Sequence, residues 1–158
     1  MPQSLQSMLE QHPFVRAFAP EHVTRLAALA KAVHFDRDEV IFQEGDENAD
    51  FFLLVKGMVA IEVDAPEHVL RVQTLFEGDE FGWSAVLTGR GKHFQARALE
   101  PSDALAFGGA QLLEAFDQDP AFGLAFVMRL LGVVSERLQG TRLQLHDMYS
   151  PVAKRAGN

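Results

Sequence analysis

Apolar and polar positions follow two different periods, which change near Ala32. Up to Lys31 the spacing is helical: Leu5, Met8 and Leu9 fall on one face. His12-Pro13 interrupts them, and Val23, Leu26, Ala27, Leu29 and Ala30 resume the pattern after Pro20. From Ala32 the period becomes two. It predicts strands at Ala32–Phe35, Val40–Phe42, Phe51–Val55, Met58–Val63, Val69–Leu75, His93–Leu99 and Ala104–Phe107. Gly45-Asp46 and Gly78-Asp79 form two similar turns, and Lys56-Gly57 is a tight link in which Gly takes positive φ. Asp64 to His68 closes a longer hairpin. Many short strands with turns every ten residues or so predict an α+β, mainly β chain built on a double-stranded β-helix, or jelly-roll-like roll.

Helical spacing returns after residue 109. Ala110 to Phe116 predicts a short helix, and Asp119-Pro120 opens a long one, with Asp119 as N-cap and Pro120 at the first helical position. Along the long helix, Leu124, Val127, Leu131, Val134, Leu138, Thr141, Leu145 and Met148 alternate steps of three and four. That is a heptad seam, and it points to a self-dimerising coiled coil; a single amphipathic helix lying on its own domain is the alternative. A second apolar line, Phe126, Leu130 and Val133, covers the first half only. Gly132 and Gly140 each weaken the helix by about 1 kcal/mol relative to Ala. The organisation expected is a helical segment at 1–31, a roll at 32–109, helices at 110–150 and a tail at 151–158, all one domain.

Composition narrows the function classes. The 158 residues are 47% hydrophobic, and 13 Phe against one Trp and one Tyr predict a Phe-rich interior. Zero Cys excludes disulfides, thiolate metal sites and cysteine nucleophiles. No apolar run reaches the roughly 18 residues of a membrane span, and no secretory signal is visible. The net charge of −8 argues against a nucleic-acid or anionic-membrane surface. A cytoplasmic protein is expected.

The chemistry concentrates in Phe76 to Ala98. A Gly-Asp turn leads to Phe81-Gly82, a short apolar run Trp83 to Leu87, and a loop bearing Gly89, Arg90, Gly91 and Lys92 before the next strand. Backbone N–H groups at a helix start facing a cation from the following strand make an anion cradle. This stretch resembles the phosphate-binding cassette of the cyclic nucleotide-binding domain family. The string from Asp38 to Val63, with Glu44-Gly45-Asp46, the strand Phe51–Val55 and Gly57, resembles the opening of that domain, and residues 12–35 resemble its entry helices.

In the resembled family a Gly-Glu pair starts the cassette helix and the Glu accepts the ribose 2′-hydroxyl; an Arg and a small hydroxyl residue from the following strand hold the cyclic phosphate. Here Gly82 matches, but Trp83 stands at the Glu position with Ser84 behind it. Setting Ala96-Arg97-Ala98 against the end of the cassette places Lys92 at the phosphate arginine, His93 at the hydroxyl residue and Phe94 at the small residue beside it. Indole donates only, and Lys lacks the bidentate fork of Arg. Arg90, Lys92 and His93 still gather positive charge, and Trp83 could stack on a flat ligand. The blander alternative is that Trp83 and Phe94 fill a disused pocket as core and that Arg90 and Lys92 are solvated loop charges.

The resemblance implies a non-catalytic sensor or regulatory module that does not bind cyclic AMP in the usual way. It would have no resident cofactor, although a cyclic nucleotide or another small anion is a possible ligand. Its partner would be a second copy of the chain and an unidentified protein. Two alternatives stay open: a ligand-independent dimerisation scaffold, and an ordinary cyclic AMP- or cyclic GMP-binding protein. Relatives that are transcription factors continue into a helix-turn-helix; eight residues follow Ser150 here, so DNA binding is not expected. The six histidines, at 12, 22, 34, 68, 93 and 146, show no metal-ligand spacing, which argues against a metal-dependent cupin enzyme. Ser84 lacks the final glycine of a nucleophile elbow.

Overall fold

The computed structural model describes residues 4–43, 45–46, 50–64, 66–83, 86 and 94–157, with the side chains of 64 and 141–157 left aside. The chain divides into two compact units, Met1–Gly123 and Leu124–Asn158.

The first unit opens with α1 (Leu5–Gln11), a 3₁₀ turn (Pro13–Val15) and α2 (Pro20–Leu29). Ser4 caps α1 by accepting the Ser7 N–H, and the Nδ1 of His12 caps the 3₁₀ turn by accepting the Phe14 N–H. Eight strands follow: β1 (Lys31–Phe35), β2 (Val40–Phe42), β3 (Asp50–Lys56), β4 (Met58–Asp64), β5 (Val69–Phe76), β6 (Glu80–Phe81), β7 (Gln95–Ala98) and β8 (Ser102–Gly108). They form two antiparallel four-stranded sheets, in the orders β1-β8-β3-β6 and β2-β7-β4-β5. The mainly β roll expected from the period-two pattern is the fold observed. α3 (Gly109–Gln118) follows, and then α4 (Pro120–Gly157), whose Phe122 N–H is capped by Asp119 Oδ1 at 3.2 Å.

The core between the sheets is built on Phe. Phe52 stacks on Phe81 with centroids 4.8 Å apart, Phe42 lies 6.3 Å from each, and Leu54, Val59 and Leu75 complete the layer. β3 is buried on both faces because Phe51 and Leu53 point the other way. There Phe51 meets Phe14 of the 3₁₀ turn at 5.4 Å and Phe107 of β8 at 6.2 Å. The helical segment is thereby tied to the sheet, and His12, 4% exposed, adds a hydrogen bond from Nε2 to the Leu54 carbonyl.

The two Gly-Asp turns are built alike. In each the Asp carboxylate accepts the N–H three residues earlier: Asp46 from Gln43 at 2.9 Å, and Asp79 from Phe76 at 2.8 Å. Gly45 and Gly78 both have positive φ. Sequence reasoning missed β6, which at two residues is too short to show a period. It began β7 at His93, which lies outside the described residues; the strand described runs from Gln95 to Ala98. In the second unit, α4 runs on through Pro151 to Gly157, the stretch read from sequence as a tail.

Candidate functional site

The head of the stretch read from sequence as a cassette is set by Leu54, whose N–H bonds the Asp79 carbonyl and whose carbonyl receives the Gly78 N–H. That fixes the turn feeding β6, and β6 delivers Gly82 with φ of 80°, a conformation glycine adopts without cost. Trp83 comes next, half-buried, and its carbonyl accepts the Val86 N–H at 3.0 Å. Of the other candidate ligand residues, Ser84, Arg90, Lys92 and His93 lie outside the described residues. Phe94 precedes β7 and is 41% exposed, so it is not the core filler of the blander alternative.

An unforeseen feature lies at the cassette's far end. In β7, Ala96 and Ala98 point into the core, and Gln95 and Arg97 share the opposite face. The Arg97 guanidinium grips Glu62 of β4, with Nε to Oε1 at 3.2 Å and Nη2 to Oε2 at 2.8 Å. Its remaining nitrogen, Nη1, bonds Asp38 at 3.0 Å, and Gln95 donates to Glu62 Oε1 at 3.0 Å. The Glu62 side chain is 4% exposed. The Arg97 hydrogen bonds hold its carboxyl below the usual carboxylate range against the opposing effect of burial, and Glu62 in turn raises the Arg97 pKa. Asp38, which sits at φ of 68°, also donates its N–H to the Ala98 carbonyl, while the Ala98 N–H bonds Glu39. The β1–β2 turn thus clasps the strand that leaves the cassette. Alternation in β7 shows that Gln95 and Arg97 face the same way; only the β4–β7 register reveals that Glu62 lies opposite.

Among the described residues no group of three or more His, Asp or Glu side chains is placed to hold a metal ion, and no helix is long and apolar enough to cross a membrane. In the second unit the predicted seam residues Leu124, Leu131 and Leu138 are 65%, 57% and 59% exposed, and Val127 and Val134 are half-buried. Phe126, Leu130 and Val133, the second apolar line, are buried. The side chains of Thr141, Leu145 and Met148 lie outside the described set.

The fold recurs in solved structures. A cyclic nucleotide-binding domain from Methylobacillus flagellatus superposes with a TM-score of 0.76 at 19% identity, covering 94% of this chain and 82% of that one. A candidate cyclic nucleotide-binding protein from Geobacter metallireducens gives 0.75 at 22% identity, covering 87% and 99%. The catabolite activator protein of Thermus thermophilus gives 0.70 at 22% identity, covering 87% and 63%. No curated protein matches the sequence. The family model of the cyclic nucleotide-binding domain matches residues 32–119, from β1 to the end of α3. With that match over more than half of its length, carried on this two-sheet roll, the chain belongs to the cyclic nucleotide-binding domain family.

Proposed function

We propose that the chain is a non-catalytic regulatory module that does not take cyclic AMP or cyclic GMP in the manner of the resembled family. In this reading it passes its state through α4 to a second copy or a protein partner. The observation that carries the reading is Trp83 directly after Gly82, at the head of the cassette turn. A ribose hydroxyl finds no acceptor on an indole, whose single polar group donates. At the phosphate position Lys92 offers a point charge without a fork. Arg97 is no substitute, because each of its three nitrogens already serves a carboxylate. The half-buried face of Trp83 suits stacking on a flat ligand, and Arg90, Lys92 and His93 supply charge for a small anion. Transmission through a second copy rests on Leu124, Leu131 and Leu138, exposed apolar residues seven apart on one helix face.

Trp83 is the chain's single Trp, so its fluorescence reports on the cassette directly. Titration with cyclic AMP or cyclic GMP at micromolar concentration is expected to give neither a fluorescence change nor calorimetric heat. Loss of the ribose acceptor and of the bidentate arginine should each cost about 1.5–3 kcal/mol, together roughly a hundredfold to ten-thousandfold in affinity. The triple change Trp83→Glu, Lys92→Arg, Phe94→Ala should recover binding. Micromolar or tighter binding by the unmodified chain would overturn the reading.

A further inference from the structure

We infer that the roll carries a second site, separate from the cassette, in a cavity between the N-terminal helical segment and the end of β3, and that it takes a small zwitterion of the free amino-acid class. The cavity is about 340 Å³, within the range of small-molecule sites and ample for one amino acid. Its walls come from three elements: α1 with the 3₁₀ turn, the end of β3 at Leu54 and Val55, and the β5–β6 turn at Glu77 and Gly78.

These walls are pinned together at a single atom. The Leu54 carbonyl accepts both His12 Nε2–H at 3.1 Å and the Gly78 N–H at 3.0 Å. His12 Nδ1 already accepts the Phe14 N–H, so the ring is a fixed wall in its neutral Nε2–H form. Gly78 closes the other side: a Cβ there would stand 3.3 Å from Pro13 Cγ, on a backbone with φ of +95°. The cavity is therefore preformed.

Its lining carries one cation and one anion, Arg16 and Glu77. Among the described residues neither side chain makes an ion pair, with the other or with anything else. An anionic ligand would meet Glu77 and a cationic one would meet Arg16; a zwitterion satisfies both. The Arg16 fork suits a carboxylate and Glu77 an ammonium group. Val55 adds a backbone feature, since the β3–β8 register slips between Leu54 and Lys56, and such a bulge leaves its extra residue outside the regular ladder. Met8 gives an apolar wall for a side chain.

The test titrates the full chain with individual free L-amino acids at millimolar concentration, following the Met8 methyl resonance and the melting temperature. At least one amino acid should shift both, and its N-acetyl and carboxamide derivatives should lose the effect. Arg16→Ala and Glu77→Ala should each weaken binding about tenfold or more, as loss of a charge-assisted pair does. Both residues are exposed, so folding should survive either change. The double reversal Arg16→Glu, Glu77→Arg should restore binding with the ligand turned around. No response to any amino acid, equal response to the capped derivatives, or a shift confined to Trp83 would each overturn the inference. All these readouts are independent of cyclic nucleotide binding at the cassette.

Discussion

Arg97 and Glu62 form a two-point ion pair across β7 and β4, with the carboxylate almost wholly out of water and the guanidinium fork fully engaged. Removing the cation leaves a largely buried carboxylate held only by the Gln95 amide and the more distant charge of Arg71, which costs up to about 3–5 kcal/mol. Arg97→Ala should therefore lower unfolding free energy in urea by that order. Arg97→Lys should recover part, because one point charge replaces a fork. Adding Glu62→Gln to Arg97→Ala should also recover part, since the orphaned charge is gone. The Asp38 arm is different: its side chain is 71% exposed, so Asp38→Asn should cost less than about 1 kcal/mol. A loss below that level for Arg97→Ala would remove the pair from the account.

The same pair sets the acid limb of stability. With the Glu62 pKa lowered by the Arg97 hydrogen bonds, its contribution is full above the unfolded value near 4.5 and is lost as pH falls through the lower folded value. Wild type should lose stability on acidification below pH 4.5 more steeply than a Glu62→Gln variant, measured by urea midpoints at stepped pH.

His34 acts with the opposite sign. It faces Asp103 across β1 and β8 at 2.7 Å, with Asp36 at 3.3 Å, and the Asp103 hydrogen bond raises its pKa above 6.5. Its contribution is full below pH 6.5 and is lost as pH rises through the higher folded value. The imidazole proton resonance should titrate above 6.5 in the wild type and move down in Asp103→Asn. A midpoint at or below 6.5 would contradict the pairing.

Sequence reasoning located most of the roll because turn residues punctuate apolar runs of strand length; burial alternates cleanly in β7, whereas β3 and β8 bury both faces and β5 is largely exposed. Phe51, Phe52, Leu53 and Leu54 are a continuous apolar run, yet Lys56-Gly57 and the Gly-Asp turns fix its ends. The Glu-Gly-Asp repeat was legible as turn chemistry, and both turns use the Asp carboxylate in the same way. Arg97 was not legible as a structural residue, since its partners at 38 and 62 are assembled only by strand register. The cavity above β3 was equally hidden: Arg16 and Glu77 are 61 positions apart in sequence (77 − 16), and each alone reads as an ordinary surface charge.

Gly57 carries the tightest steric demand among the described glycines. It has φ of 110°, and an added Cβ would stand 2.7 Å from the backbone Cα of Ser102, a residue with no exposed surface. Ser102 cannot move aside freely, because its hydroxyl donates to the Glu100 carbonyl at 2.8 Å and accepts the Met58 N–H at 3.2 Å. Backbone strain alone costs on the order of 1–3 kcal/mol, and the overlap with backbone adds to it. Gly57→Ala should melt well below the wild type, whereas Gly140→Ala, with open space around it, should stabilise by up to about 1 kcal/mol through helix propensity. Similar melting of the two variants would refute the close approach.

The last prediction concerns assembly. Leu124, Leu131 and Leu138 leave more than half of their surface exposed at heptad spacing, and Phe126, Leu130 and Val133 are buried on another face of the same helix. Burying a leucine side chain stabilises by about 1.5–3 kcal/mol, so a seam of this kind pairing with its copy has a substantial driving force. A parallel arrangement sets each leucine against its equivalent, so a single substitution acts twice per dimer. Leu131→Asp would place two carboxylates at facing core positions, where desolvation and like-charge repulsion both oppose pairing. The monomer should stay folded, because Leu131 is exposed in the isolated chain. Sedimentation velocity at tens of micromolar should show a dimer for the wild type and a folded monomer, or a grossly weakened dimer, for the variant. Glu136→Lys, at an exposed position off the seam, should leave the dimer intact. A wild-type chain that sediments as a monomer at that concentration would sink the dimer, and with it transmission through a second copy.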